Sequence, residues 1–306
     1  MNWLQLSWLT EPWQHTFMQH AFGAIILVGV ISGVTGVFVT LRGLAFFGDA
    51  LAHAVFPGIV IAHLVGGNVL IGALVAAVLV SLGIGAIGQS GRVSNDTAIG
   101  ILFAGGFALG VALLASERSY TRDLTAFLLG SILGVTRQDL LLTAGIGVLV
   151  LGTMFWFRRE LTTVAFDRVF AQAKGINVWL FDQLFLVLLA LAIVVSLQTV
   201  GNVLVLAMLV TPAATARLLT DRLRVMIGLA ALIGAACGVA GLYFSYYRSV
   251  PSGASVVLVT VGVFGLVYLF APRTGVVSSR LARRVHYGHP ERDAFAHQPE
   301  AEQASR

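Results

Sequence analysis

An aspartate and a histidine stand four residues apart in Gly48-Asp49-Ala50-Leu51-Ala52-His53-Ala54, within sequence otherwise apolar enough for lipid. Residues at i and i+4 lie one above the other on a helix face. A carboxylate and an imidazole stacked in that way can hold a divalent metal ion or pass a proton. An ionisable side chain inside a membrane span costs about 2.5–3.5 kcal/mol on insertion scales, so such groups are rare without a function. A plainer reading has Asp49 capping the start of a helix and His53 as a hydrogen-bonded core histidine. Pro57 and Gly58 follow within a turn. A proline there removes a helix hydrogen bond and kinks the span, which aims the pair or simply fixes a bend. His63 ends the same run, either to meet an incoming ion or as an ordinary interfacial histidine.

The elements that must position this pair are membrane helices. The 306 residues are 58% hydrophobic and only 11% charged, with a mean hydropathy of +0.90. Soluble domains carry about 25% charged residues, so the fold class expected is an all-α polytopic membrane protein. Apolar runs of spanning length occur near 20–41, 45–64, 69–87, 97–115, 139–157, 178–197, 202–219, 225–247 and 254–271, each close to the ~20 residues a bilayer core requires. This predicts nine transmembrane helices.

The net charge of +5 does not point to nucleic acid, because the basic residues flank apolar runs. Placing the C-terminus inside puts 15 of the 19 lysines and arginines on the inner side, which sets the N-terminus outside. Residues 1–19, with Trp3, Trp8 and Trp13, read as an external interfacial segment. Residues 20–272 form the transmembrane domain, and 273–306 a polar, disordered cytoplasmic tail that carries His286, His289 and His297. The lone Cys237 rules out a disulfide framework or a cysteine metal cluster.

Two connections carry further candidates. The external segment from Glu117 to Arg137 holds Leu124–Gly130, too short to span, and reads as a re-entrant or surface helix. The internal loop from Arg158 to Asn177 reads as an amphipathic helix from Phe166 to Lys174 closed by Gly175. It has Asp167, Arg168 and Lys174 on a charged face beside Phe166, Val169 and Phe170. Such a helix seats in a partner's groove or lies on the membrane surface. Asn95 and Asp96 open the fourth span as helix caps or as an inner gate. Thr211-Pro212 breaks the seventh as a structural or hinge element, with Thr211 expected to satisfy freed carbonyls. Glycines at small-residue spacing, Gly29/Gly33/Gly36 and Gly234/Gly238/Gly241, predict close helix packing. A phosphate-cradling GxxxxGK[ST] motif does not occur in the sequence, so any ATP would be handled by another chain.

Three blocks in this order carry a family resemblance: Gly48-Asp-Ala-Leu-Ala-His-Ala-Val-Phe-Pro-Gly58, Asn95-Asp-Thr-Ala-Ile-Gly-Ile101 and Leu209-Val-Thr-Pro-Ala-Ala-Thr-Ala216. Together they resemble the permease subunits of the ABC-type zinc/manganese uptake family, over roughly residues 20–272. The resemblance implies a homodimeric permease in a bacterial plasma membrane, a cytoplasmic ABC ATPase dimer that docks on the internal loop, and an extracytoplasmic metal-binding protein. It implies no permanently bound cofactor and no catalytic site: Zn²⁺ or Mn²⁺ is the substrate, moving past Asp49 and His53. Nitrogen ligation tilts the choice slightly toward zinc. The rival reading from another class is a proton-coupled secondary carrier in which Asp49 and His53 relay protons. Such carriers often show internal repeats, and no convincing repeat is evident here.

Overall fold

A computed structural model describes residues 10–89, 93–115 and 132–271. After a single 3₁₀ turn, Pro12–Gln14, the chain enters α1 (Thr16–Arg42). It continues through α2 (Phe47–Ala54), α3 (Phe56–Leu64), α4 (Val69–Gln89) and α5 (Asn95–Ala115). A 3₁₀ turn at Ile132–Gly134 leads to α6 (Arg137–Trp156), then α7 (Arg158–Phe166) and α8 (Arg168–Ala173). The long helices α9 (Val178–Val200), α10 (Asn202–Leu219), α11 (Leu223–Arg248) and α12 (Ser252–Phe270) complete the described chain. Counting α2 and α3 as one interrupted span, nine spans among the described residues are long and apolar enough to cross a bilayer. The all-α polytopic class expected from the sequence is the one observed.

Helix α1 is the axis of the bundle and its most enclosed span, packed against α6, α9, α10 and α11. Missing side chains permit that packing. A Cβ on Gly29 would stand 2.8 Å from the Ala235 nitrogen, and one on Gly33 would stand 2.6 Å from the Ala230 carbonyl oxygen. A Cβ on Gly36 would collide with the Leu209 carbonyl oxygen. In lipid, where no hydrophobic force draws helices together, such backbone-to-backbone approach supplies the dispersion contacts that do. Both glycine stripes are therefore packing devices, Gly234 meeting Gly29, and Gly238 meeting Ile25. Helices α5 and α12 are the least enclosed and present most of their length outward.

Several local expectations need correction. The chain enters α1 at Thr16, earlier than hydropathy suggests, and Trp13 folds back to stack on Phe22 at 4.5 Å and donate to the Tyr243 hydroxyl at 2.7 Å. The second span is two helices joined at Val55. Pro57 lies in the first turn of α3, where its missing N–H costs nothing. Ser94 caps α5: its Oγ accepts from the Thr97 amide at 3.2 Å. Thr215, not Thr211, makes the side-chain back-bond near Pro212, donating to the Thr211 carbonyl at 2.7 Å. The amphipathic helix expected from Phe166 to Lys174 is also divided. Phe166 ends α7, and Asp167 caps α8 by accepting from the Phe170 amide at 2.8 Å. Lys174 follows α8, and Gly175 turns at φ +76°, as a C′ glycine does. The Leu124–Gly130 helix, the tail 273–306 and residues 1–9 of the N-terminal segment lie outside the described residues.

Candidate functional site

Helix α2 is short because it is stopped at both ends. Gly43, in the left-handed region at φ +70°, ends α1 four residues before α2 begins, and Val55 interrupts the helix after it. Its inward face is Phe47, Gly48, Leu51, Ala52 and Ala54. Gly48 seats the helix against the bundle: a Cβ there would stand 3.2 Å from Leu209 Cδ2 and 3.8 Å from Ile193 Cδ1. On the other side α5 closes in through its own glycines, with Gly106 facing Ala54 and Gly110 facing Phe56. Two of the sequence blocks quoted above thus meet, Gly48 against Leu209.

Asp49 and His53 project from the remaining face. His53 Nε2 lies 3.8 Å from Asp49 Oδ1, with the imidazole 24% and the carboxylate 45% exposed. That separation is too long for a hydrogen bond. It lies within the reach of two ligands bracketing one ion, whose bonds to nitrogen and carboxylate oxygen are each about 2.0–2.2 Å for zinc. The imidazole is held edge-on by Phe103 and Phe107 of α5, each with its ring centroid 5.5 Å away. These two aromatics set the ring's orientation, and nothing in an apolar run marks them out by sequence. Among the described residues no group of three or more His, Cys, Asp or Glu side chains gathers around one point. The described chain offers one carboxylate and one imidazole here, an open coordination set suited to transient holding.

The other candidates lie apart from this pair. His63 is exposed in the last turn of α3, ten residues beyond His53 and about 15 Å along the helix rise. Asp96 is exposed in the first turn of α5, where its charge complements the helix dipole. Pro212 is buried inside α10. At the end of the bundle where α1 finishes, α7 and α8 present Phe166, Val169 and Phe170, all exposed, beside Lys174, whose ammonium sits 4.5 Å over the Phe170 ring.

Beside α8 lies a cluster of which the residue patterns singled out only Arg168. Asp182 of α9 accepts from Arg42 Nη1 at 2.7 Å through Oδ1 and pairs with Arg168 Nη2 at 3.2 Å through Oδ2. The Arg42 side chain is only 7% exposed. It also donates to the Leu161 carbonyl and lies 4.3 Å over the Phe185 ring. A cavity of about 320 Å³ adjoins this cluster, lined also by Gln89, Gln183 and Trp179. The available signal was Asp182 itself, a lone acid in the first turns of an apolar run.

Comparison with known proteins extends the resemblance across most of the chain. Residues 14–271 match the ABC 3 transport family. A manganese transport system membrane protein, MntC, of Halalkalibacterium halodurans is 49% identical over 264 residues, covering 86% of this chain and 90% of that one. A manganese import system permease protein, ScaB, of Streptococcus gordonii is 39% identical, covering 84% of this chain and 92% of that one. Among solved structures, PsaBC from Streptococcus pneumoniae in complex with Fab superposes with a TM-score of 0.78 at 36% identity, covering 91% of this chain and 99% of that one.

Proposed function

Because the chain belongs to the ABC 3 transport family, we propose that it is the membrane-spanning permease of an ATP-driven importer that brings manganese into a bacterial cell. The observation that carries this reading is the Asp49–His53 pair, on one face of a helix stopped at both ends and held against the bundle. Oxygen and imidazole donors suit Mn²⁺ as well as Zn²⁺, and the lack of thiolate disfavours Cu⁺. The named manganese permeases among the relatives turn the choice toward manganese and away from the slight zinc preference that nitrogen ligation suggests. Family membership also counts against a proton-coupled secondary carrier.

In this reading the permease breaks no bond and holds no resident cofactor; a cytoplasmic ABC ATPase supplies the work, and an extracytoplasmic binding protein delivers the ion. The basic residues favour an inner-membrane topology with the N-terminus outside, which places α7 and α8 in the cytoplasm. There the exposed Phe166, Val169 and Phe170, with Asp167, Lys174 and Gly175 shaping the turn, are the surface on which the ATPase seats. A second copy of the chain would face the first across the open side of α2. Two Asp49 and two His53 would then line a shared path, with the Val55–Pro57 break and the Asp96 and Pro212 regions flexing as access alternates. His63 would stand nearer the outer mouth.

Elemental analysis of cells stripped of their own manganese and zinc importers tests this. Cells expressing the permease with its ATPase and binding protein should accumulate manganese, and those carrying Asp49→Ala or His53→Ala should not, at equal membrane levels. Zinc accumulation instead would change the cargo. Wild-type accumulation by both variants would remove the pair from the path.

A further inference from the structure

We infer that Arg168, Asp182 and Arg42 form an ionic joint that carries movement of α8 to the start of α2, with Arg168 a positioning residue for transport rather than a docking contact; the inference rests on the transport reading above. One carboxylate bridges two guanidinium groups from different elements. Asp182 Oδ1 takes Arg42, the last residue of α1, at 2.7 Å, and Oδ2 takes Arg168, the first residue of α8, at 3.2 Å. Arg42 is tied to the same end of the molecule a second time, through the carbonyl of Leu161 on α7. The α7 segment therefore holds the C-terminus of α1 directly through Leu161, and α8 is joined to it through Asp182 of α9.

From Arg42 the path to the metal pair is short and stiff. Gly43 turns in the left-handed region, the Leu44 amide returns to the Val39 carbonyl at 3.0 Å, and the Phe47 amide bonds the Leu44 carbonyl at 3.0 Å. Asp49 follows two residues into α2. A shift of Arg42 is transmitted over a tightly hydrogen-bonded turn rather than absorbed by a slack loop.

The two arms differ in kind. The Arg42 arm is buried, and a buried pair cannot be opened without leaving a charge unpaired in a poorly solvated site. The Arg168 arm is 58% exposed at 3.2 Å, and exposed pairs of this kind contribute little and are screened. The cavity of about 320 Å³ beside them leaves room for the Arg168 side chain to swing. A permanent anchor and a detachable arm on one carboxylate make a joint that engages and releases as α8 moves. Such coupling requires an element with two states that both sites bias, and in this proposal the Arg168 arm, engaged or released, supplies them.

The test uses the permease reconstituted in liposomes with its ATPase and binding protein, as wild type, Arg168→Gln and Arg168→Lys. For Arg168→Gln the ATPase should still co-purify at the wild-type ratio and hydrolyse ATP, while manganese carried per ATP falls several-fold. Arg168→Lys should restore most of that ratio. A wild-type ratio of manganese to ATP in Arg168→Gln would overturn the joint, and so would loss of the ATPase from the complex, which would make Arg168 a docking contact. If wild type itself carries no manganese, the transport reading fails instead. The joint is then judged by spin labels at Val169→Cys and Phe46→Cys in a Cys237→Ser background, both label positions being exposed. Their separation should change with nucleotide in wild type and lose that response in Arg168→Gln; the same response in both would overturn the joint.

Discussion

Asp182→Asn takes the counter-charge away from the Arg42 guanidinium. The change keeps the size of the side chain and one acceptor oxygen but removes the charge that faces Arg42. With the Arg42 side chain 7% exposed, little solvent is available to take over its compensation. Its remaining partners are a carbonyl at 3.4 Å and the Phe185 ring face. Breaking a buried pair by removing one partner costs about 3–5 kcal/mol. The 23% exposure of Asp182, and the amide oxygen that stays, place this case at the lower end, about 3 kcal/mol. For a chain of this length roughly 2 °C is lost per kcal/mol, so the melting temperature in detergent should fall by about 6 °C. The assay is the fraction of monodisperse protein left after heating, read by size-exclusion chromatography. Removing both charges removes the desolvation cost as well, so Arg42→Met/Asp182→Leu should melt within about 2 °C of wild type. If Asp182→Asn melts with wild type, or the double variant is as unstable as the single one, the buried Arg42 charge does not depend on Asp182 for its compensation.

Two further outcomes follow from local geometry. Gly36→Ala drives a methyl into the Leu209 carbonyl and should cost about 1–3 kcal/mol, whereas Gly228→Ala, with nothing within 4 Å of the added carbon, should be neutral or stabilise by up to about 1 kcal/mol; parallel melts compare the two. Thr136→Ala removes the capping box that Thr136 and Asp139 build at the start of α6, and should cost about 1 kcal/mol, read as faster hydrogen exchange in the first turn of α6 with the rest of the helix unchanged.

How much of this was legible in the sequence depends on whether a feature is written locally. The spans were, because lipid demands about 20 apolar residues and leaves charge to the ends. The Asp49–His53 pair was legible from its spacing and its cost, and the interruption after His53 from Pro57. Boundaries set by side-chain caps were harder: the cap of α5 falls on Ser94, and Asp167 took a capping position that divided the expected amphipathic helix and left Phe166 on the preceding one. What the sequence did not disclose was pairing across the bundle. Arg42 reads as a topology marker until Asp182, 140 positions later, is found beside it. Phe103 and Phe107 read as two apolar residues among many until their edges are found against His53.

Passage of manganese across the membrane past Asp49 and His53 can be measured in a defined system. The permease, its ATPase and its binding protein would be reconstituted in liposomes, with radioactive manganese outside and ATP supplied to the ATPase. Wild type should accumulate manganese only with ATP, and Asp49→Asn and His53→Ala should each lose most of that uptake while retaining the assembled complex. Full ATP-dependent uptake by both variants would mean that manganese does not cross past Asp49 and His53.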